Sequence, residues 1–382
     1  MTTTIINKNK KPNVPNLRFK EFEGEWEKMR LDAFTKRVMR KNKSNQSRLP
    51  LTISAQYGLV DQITFFNKVV ASTDLSNYYL LKKGEFAYNK SYSSDYPWGA
   101  IKRLDNYDQG ALSSLYICFA PQDNVVSDFI LQYFESPKWH KGISEIAVEG
   151  ARNHGLLNVA VQDFFHTYHY VPKDKKEQIK ISKLLMLLDE RIATQNKIID
   201  KLQTLIKGIA HKVSKQGKPN IRLSECLLCT SSTLQESDVA EVGAYPVYGA
   251  NGIVGYLDTY NTTSEAIYII KDGSGVGAVS CVKGKCSATG TLNILQTKEG
   301  FSLRYLYFIL KVFSFEPYKT GMAIPHIYFK DYGKAKIYCP SNQLQCKYAD
   351  LLSKIEQKAT AEQKILDNLC SQKQYLLCQM FI

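Results

Sequence analysis

The residues most suggestive of chemistry are Gly273-Ser274-Gly275-Val276-Gly277, which follow the strand-like run Ala266–Ile270. A glycine-rich loop after a strand can cradle a nucleotide or S-adenosylmethionine, provided that a helix starts at once and turns its N-terminus to the ligand. Here the chain continues Ala278-Val279-Ser280-Cys281-Val282 and then Lys283-Gly284-Lys285. That reads as a second strand and a turn, so the expectation is a tight β-hairpin. Cys226 and Cys229 form a lone CxxC, with Cys281 and Cys286 as a further pair. Leu227 and Leu228 fill the first knuckle where a zinc ribbon needs turn residues, so no zinc site is expected. The sequence has no GxxxxGK[ST] loop, no HExxH and no Asn/Asp-Pro-Pro-aromatic segment of the kind that holds an amine for methylation. His154 and His326 each lie shortly after a glycine, Gly150 and Gly321, with no nucleophile or carboxylate pair nearby. They read as matched nucleic-acid contacts or as core histidines, and contact is the reading adopted. These residues predict binding rather than catalysis.

Bulk properties say what is bound. The 382 residues carry a net charge of +14, which makes a polyanion the expected partner, nucleic acid before membrane. A hydrophobic fraction of 44% is ordinary for globular domains, and the length predicts two or three of them. The nine cysteines are odd in number, and Cys118, Cys281 and Cys339 lie in apolar strand-like runs. Reduced thiols in the cytoplasm are therefore expected. The greasiest stretch, 301–315, is interrupted by Arg304 and Lys311, so no membrane span is predicted.

The elements that must position any binding residues come in duplicate. Residues 197–202 read KIIDKL and residues 364–369 read KILDNL, 167 positions later. Around the first copy, apolar positions recur in steps of four and three at Ile181, Leu185, Leu188, Ile192, Gln195, Ile199, Leu202, Ile206 and Ile209. The same offset gives Tyr348, Leu352, Ile355, Ala359, Glu362, Leu366, Leu369, Lys373 and Leu376. A seam every 3.5 residues is what two helices need to pack side by side. Gln195 and Glu362 hold the same seam position and are read equally well as a register-fixing pair or as a wet gap. Lys373 is expected to fray into water. The first long helix is predicted from Pro172 to about Val213, ended by Gly217 and Pro219, and the second from about Gln343 onward.

Residues 1–16 have little to bury and read as a mobile leader. Residues 17–172 form a first module, 173–215 the first spacer helix, 216–340 a second module and 341–382 the second helix. Within the modules, strands are expected at 51–53, 63–70, 78–81 and 114–119, and helices at 125–136 and 301–315. Smaller echoes support duplication: Ala55–Val60 resembles Ala250–Val254, and Trp98-Gly99-Ala100 falls where Val276-Gly277-Ala278 does.

Pro172–Ile181 (PKDKKEQIKI) leading into Leu184–Ile192, with YPVYGANGIVGY at 245–256, DGSGVGAV at 272–279 and SATGTLNI at 287–294, resembles the specificity subunit of type I restriction-modification systems. The resemblance runs from about Leu17 to the end. It implies an α+β fold in which two target recognition domains of mixed α/β type are separated by two long antiparallel coiled-coil helices, with an internal pseudo-two-fold repeat. Each domain would read one half of a bipartite double-stranded DNA target, and the helices would set the gap. It also implies two copies of a modification subunit that uses S-adenosylmethionine and, where present, a restriction subunit that uses ATP and Mg. This chain itself would bind no cofactor and be non-catalytic. From the seam alone, Ile181 to Ile209 spans roughly 42 Å of helix, against about 34–36 Å for one turn of duplex. A protein-binding coiled-coil scaffold, or an independent methyltransferase, is the competing reading.

Reading DNA takes cations for phosphates and amide or guanidinium groups for base edges. In the first module the candidates are Gln56, Tyr57, Asn89, Lys90, Ser91, Tyr92, Trp98, Lys102, Arg103, Arg152, Asn153 and His154. In the second they are Tyr248, Asn251, Lys271, Asp272, Ser274, Lys283, Lys285 and His326.

Overall fold

The computed structural model describes residues 13–68, 74–147, 155–273, 275–321 and 324–382. The chain divides into two compact units, Met1–Ala193 with Asp367–Ile382, and Thr194–Leu366. Each unit thus takes one end of each long helix, Lys175–Ser214 and Asn342–Gln379.

In the first unit, one sheet runs Thr35–Arg37, Ile117–Pro121, Phe86–Asn89, Ala100–Arg103, every neighbour antiparallel. A second sheet runs Gly58–Asp61, Pro50–Ser54, Gln109–Leu112, Tyr79–Lys82, with the middle two parallel. The central strand is buried on both faces: Phe86 and Tyr88 face the aromatic core, Ala87 the layer toward the second sheet. Alternation of side chains along a strand sends successive residues to opposite faces. Phe86 stacks on Phe119 at 5.4 Å, and Phe134, Trp139 and Phe164 complete the cluster.

The second unit has the same order and sense in its main sheet: Leu227–Ser231, Leu292–Thr297, Ala266–Ile270, Val279–Val282. Its smaller sheet, Gly252–Leu257, Tyr245–Gly249, Ser287–Ala288, again pairs its last two strands in parallel. Ile267 and Ile269 enter one core layer, Ala266 and Tyr268 the other. The helices Ser127–Glu135 and Leu303–Lys311 confirm the two predicted ones. Each unit also closes with a two-stranded ribbon, Glu27–Arg30 with Tyr168–Val171 and Ile221–Arg222 with Lys336–Ile337.

Three expectations need correction. The described part of the run 63–70 is not a strand: Gln62–Phe66 is a short helix, started by Asp61, whose carboxylate accepts the Ile63 N–H at 3.0 Å, and residues 69 and 70 lie outside the described residues. Of the leader expected over residues 1–16, residues 13–16 are tied down, because the Trp26 N–H donates to the Asn13 carbonyl and Pro15 is buried, and residues 1–12 lie outside the described residues. Lys373 does not fray; its ammonium meets Asp189 at 2.5 Å and is 18% exposed. The countercharge for Lys373 thus comes from the facing helix.

The seam residues Ile181, Leu185, Leu188, Ile199, Leu352 and Leu366 are buried, while Ile192, Leu202, Ile355 and Leu369 are half-buried. In the first unit Ile181 and Leu185 share a cluster with Leu377, and in the second Ile206 and Ala210 share one with Ala349 and Leu352. Within each unit, therefore, the two helix ends run antiparallel. Gln195 and Glu362 are both buried and bonded to each other: the Gln195 amide donates to the Glu362 carbonyl at 2.9 Å and to its carboxylate. Bonds from Lys358 and then Gln195 hold the Glu362 carboxyl below its usual range.

A buried glutamine joins each long helix to its module. Gln178 accepts the Val126 N–H at 2.8 Å and donates to the Pro172 carbonyl at 2.8 Å. Gln345, 167 residues on, accepts the Ser302 N–H at 3.0 Å and donates to the Pro340 carbonyl at 2.8 Å. Val126 and Ser302 are the residues that begin the two module helices. Nothing in the sequence singles out either glutamine.

His169 sits in the first unit's core between the Tyr133 hydroxyl at 2.9 Å and the Thr167 hydroxyl at 2.8 Å. Burial pushes its pKa down to about 3, against about 6.5 in an unfolded chain. The neutral ring's stabilisation is complete above about pH 6.5 and is lost as pH falls toward 3, because only the unfolded chain then takes up the proton. All three tryptophans (Trp26, Trp98, Trp139) lie in this unit, so their fluorescence reports it alone. Between pH 6.5 and 5, urea unfolding followed by that signal should lose about 2 kcal/mol through this group. His169→Gln should flatten that slope, and an unchanged slope would show that the proton uptake lies elsewhere.

Candidate nucleic-acid interface

In each module the loop leaving the central strand is clamped by a later segment through the same backbone bonds. In the first, Leu157 N–H donates to the Lys90 carbonyl at 2.9 Å, Tyr92 N–H donates to the Gly155 carbonyl at 3.0 Å, and Ser91 faces Leu156. In the second, Ile327 N–H donates to the Lys271 carbonyl at 2.9 Å, Gly273 N–H donates to the Pro325 carbonyl at 3.1 Å, and Asp272 faces His326. Lys90 therefore corresponds to Lys271, Ser91 to Asp272 and Leu156 to His326. The structural counterpart of His326 is Leu156, not His154.

The last glycine of each loop leads into the edge strand. Gly99 (φ +77°) precedes Ala100–Arg103, and Gly277 (φ +90°) lies two residues before Val279–Val282. A Cβ on Gly99 would stand 2.1 Å from the Asn89 carbonyl oxygen, so only glycine fits that close approach. The loop Gly273–Gly277 joins the antiparallel strands Ala266–Ile270 and Val279–Val282, as the sequence led us to expect. Among the described residues the chain continues from this loop into the strand Val279–Val282.

The smaller sheet of each unit brings a hairpin tip toward this edge strand. Gln56 and Tyr57 lie exposed in the turn between Pro50–Ser54 and Gly58–Asp61. Asn251 lies exposed at the equivalent turn between Tyr245–Gly249 and Gly252–Leu257. A cleft of about 460 Å³ in the first unit is walled by Gln56, Tyr96, Gly99 and Lys102. Its counterpart of about 630 Å³ in the second is walled by Tyr248, Ala250, Ser280 and Lys283. Hairpin tip, cleft and clamped loop recur together, and most of the candidates chosen from sequence lie on them.

The individual side chains are not equally available. Tyr92 is exposed, and Asn89 accepts the Ser91 N–H at 3.0 Å. Trp98 is half-buried, its carbonyl accepting from the Tyr88 hydroxyl at 2.9 Å. Lys102 is held by Glu135 at 2.6 Å. Arg103 is 11% exposed and committed to Asp105 and Asp128, both at 2.7 Å, and to the Ser127 hydroxyl. Tyr248 packs edge-on against Tyr268 at 5.9 Å. Lys283 is exposed, 3.8 Å from Glu265, and Lys285 lies 4.9 Å over the Tyr260 ring. Lys271 is half-buried beside the Asp272–His326 pair. Arg152, Asn153, His154 and Ser274 lie outside the described residues.

Burial pushes the Cys226 and Cys229 thiols up to about 12 and about 11. Among the described residues no group of three or more His, Cys, Asp or Glu is placed to hold a metal, and no helix is long and apolar enough to cross a membrane.

Comparison with known proteins agrees with this architecture. The S subunit of a type I restriction-modification system from M. genitalium superimposes with a TM-score of 0.63 at 19% identity, over 97% of this chain and 99% of that one. The fold is that of a type I S subunit. A second solved structure, from work on complex assembly and conformational transition of the type I R-M system, gives a TM-score of 0.54 at 14% identity over 92% of this chain and 96% of that one. Residues 226–370 match the family model for the type I restriction modification DNA specificity domain. The specificity subunit of type I restriction enzyme EcoprrI from Escherichia coli is 26% identical over 112 residues, which is 29% of this chain and 28% of that protein.

Because Arg103 is bound on both sides by carboxylates, it acts as a brace between the edge strand and helix Ser127–Glu135. Arg103→Gln should lower the first unit's stability by about 1 kcal/mol and leave retention on duplex DNA at moderate salt unchanged. Weakened retention with unaltered thermal unfolding would make it a DNA contact instead.

Proposed function

We propose that this chain is the DNA sequence-specificity subunit of a type I restriction-modification complex, reading a bipartite target with one recognition domain per half-site and using the paired helices to set the gap. The observation that carries this reading is one backbone frame used twice with different side chains at its exposed loops. Two copies of one reader would need the same residues at Gln56 and Asn251, or at Leu156 and His326. A duplicated frame with divergent tips instead suits two different half-sites. The match of residues 226–370 to a DNA specificity domain and the net charge of +14 support duplex DNA as the ligand.

On this reading the recognition domains are 17–172 and 216–340, and the coiled-coil spacer helices are 173–215 and 341–382. The pseudo-two-fold repeat is supported by the Gln195–Glu362 pair. In an antiparallel pair of copies, only the residue on the repeat axis faces its own equivalent, and these two are 167 apart. The helices also leave apolar side chains exposed at repeat-equivalent positions, Leu184 with Leu351 and Ile198 with Ile365. Two equivalent apolar faces suit two copies of one modification subunit, with a restriction subunit joining where one exists. S-adenosylmethionine and ATP with Mg would then be bound by those partners, leaving this chain non-catalytic.

The test is substitution in one module. With the modification subunit present, Tyr248→Ala, Asn251→Ala and Lys283→Ala together should relax one half of the selected DNA sequence and leave the other half intact. Changes in both halves would contradict the assignment of one domain to each.

A further inference from the structure

The two clamps share a backbone but differ at the facing pair, Ser91 with Leu156 in one and Asp272 with His326 in the other. Only the second pair can present a polar group of fixed polarity. The His326 Nδ1 lies 2.7 Å from the Asp272 carboxylate. A carboxylate oxygen only accepts, so the proton of that bond sits on Nδ1, and the neutral ring is left with an acceptor lone pair on Nε2. Among the described residues nothing bonds Nε2, and the side chain is 35% exposed.

The ring is also unusually well held for a loop residue. His326 exchanges two backbone bonds with Thr320, at 2.7 and 2.9 Å, and its neighbours Pro325 and Ile327 are bonded to Gly273 and Lys271. Its ring lies nearly parallel to that of Tyr328, with 19° between the planes. A side chain fixed in both backbone and ring before binding loses little entropy on contact, which is what discrimination between bases requires.

We propose that His326 is a specificity-determining residue of the second module, that Asp272 is its positioning residue, and that Nε2 accepts a hydrogen bond from the exocyclic amine of adenine or cytosine in the major groove. Those amines are the base-edge donors that groove displays. The inference rests on the reading of this chain as a two-domain DNA reader and adds to it the residue, the polarity and the class of base.

The test is selection from a random duplex library by the full chain co-purified with its modification subunit, run in parallel for wild type, His326→Leu (the side chain the first module carries here), Asp272→Leu and Asp272→Asn. The expected result is a wild-type preference for adenine or cytosine at one or two adjacent positions of one half-site. His326→Leu and Asp272→Leu should reduce that preference about tenfold. Asp272→Asn, whose amide oxygen still accepts from Nδ1, should retain it. The other half-site serves as the internal control and should not change. Identical half-sites from wild type and His326→Leu would overturn the proposal. So would loss of every position of that half-site in all three variants, because that marks a merely structural role. A wild-type chain returning no two-block motif would instead refute the underlying two-domain reading, and the inference with it.

Discussion

The buried amides of Gln178 and Gln345 set the terms for the rest of the molecule. Each uses both ends of its side chain, one to receive the first N–H of a module helix and the other to hold the carbonyl of the proline, Pro172 or Pro340, that ends the module. A buried amide with both ends bonded tolerates little displacement, since any shift strands a donor or an acceptor away from water. Each module is thereby tied to its own long helix at a fixed turn. The loops of that module can then diverge freely without altering where the module sits on its helix.

That division of labour explains the uneven drift of the two halves. The clamp, the glycine before the edge strand and the parallel pairing in the smaller sheet are backbone features, and they survive large changes in sequence. The side chains they present, Ser91 and Leu156 against Asp272 and His326, are free to change because no backbone bond depends on them. Under the proposed function this arrangement is an advantage, since new specificity needs only new tips.

Much of this was legible in the sequence where the signal was periodic. The steps of three and four around KIIDKL and KILDNL located both long helices, and the glycine-rich run read correctly as a hairpin because strand-like residues follow it. What escaped depended on contacts between distant residues. Gln178 and Gln345 look like ordinary solvated helix residues until the module helix arrives over them. Arg103 looks like a free base-reading guanidinium until Asp105 and Asp128 close on it. The pairing of His326 with the position of Leu156 is set by strand register, which counting from a nearby glycine could not supply. The short helix Gln62–Phe66 was misread because its apolar residues are exposed, so burial periodicity gave no guide there.

The most direct test of the account is the target itself, selected from random duplex DNA by the unmodified chain with its modification subunit. Two short blocks of different sequence, separated by a fixed run of unspecified bases, are the predicted result. A single block, two identical blocks, or salt-sensitive binding with no motif would contradict the claim that one frame carries two distinct readers.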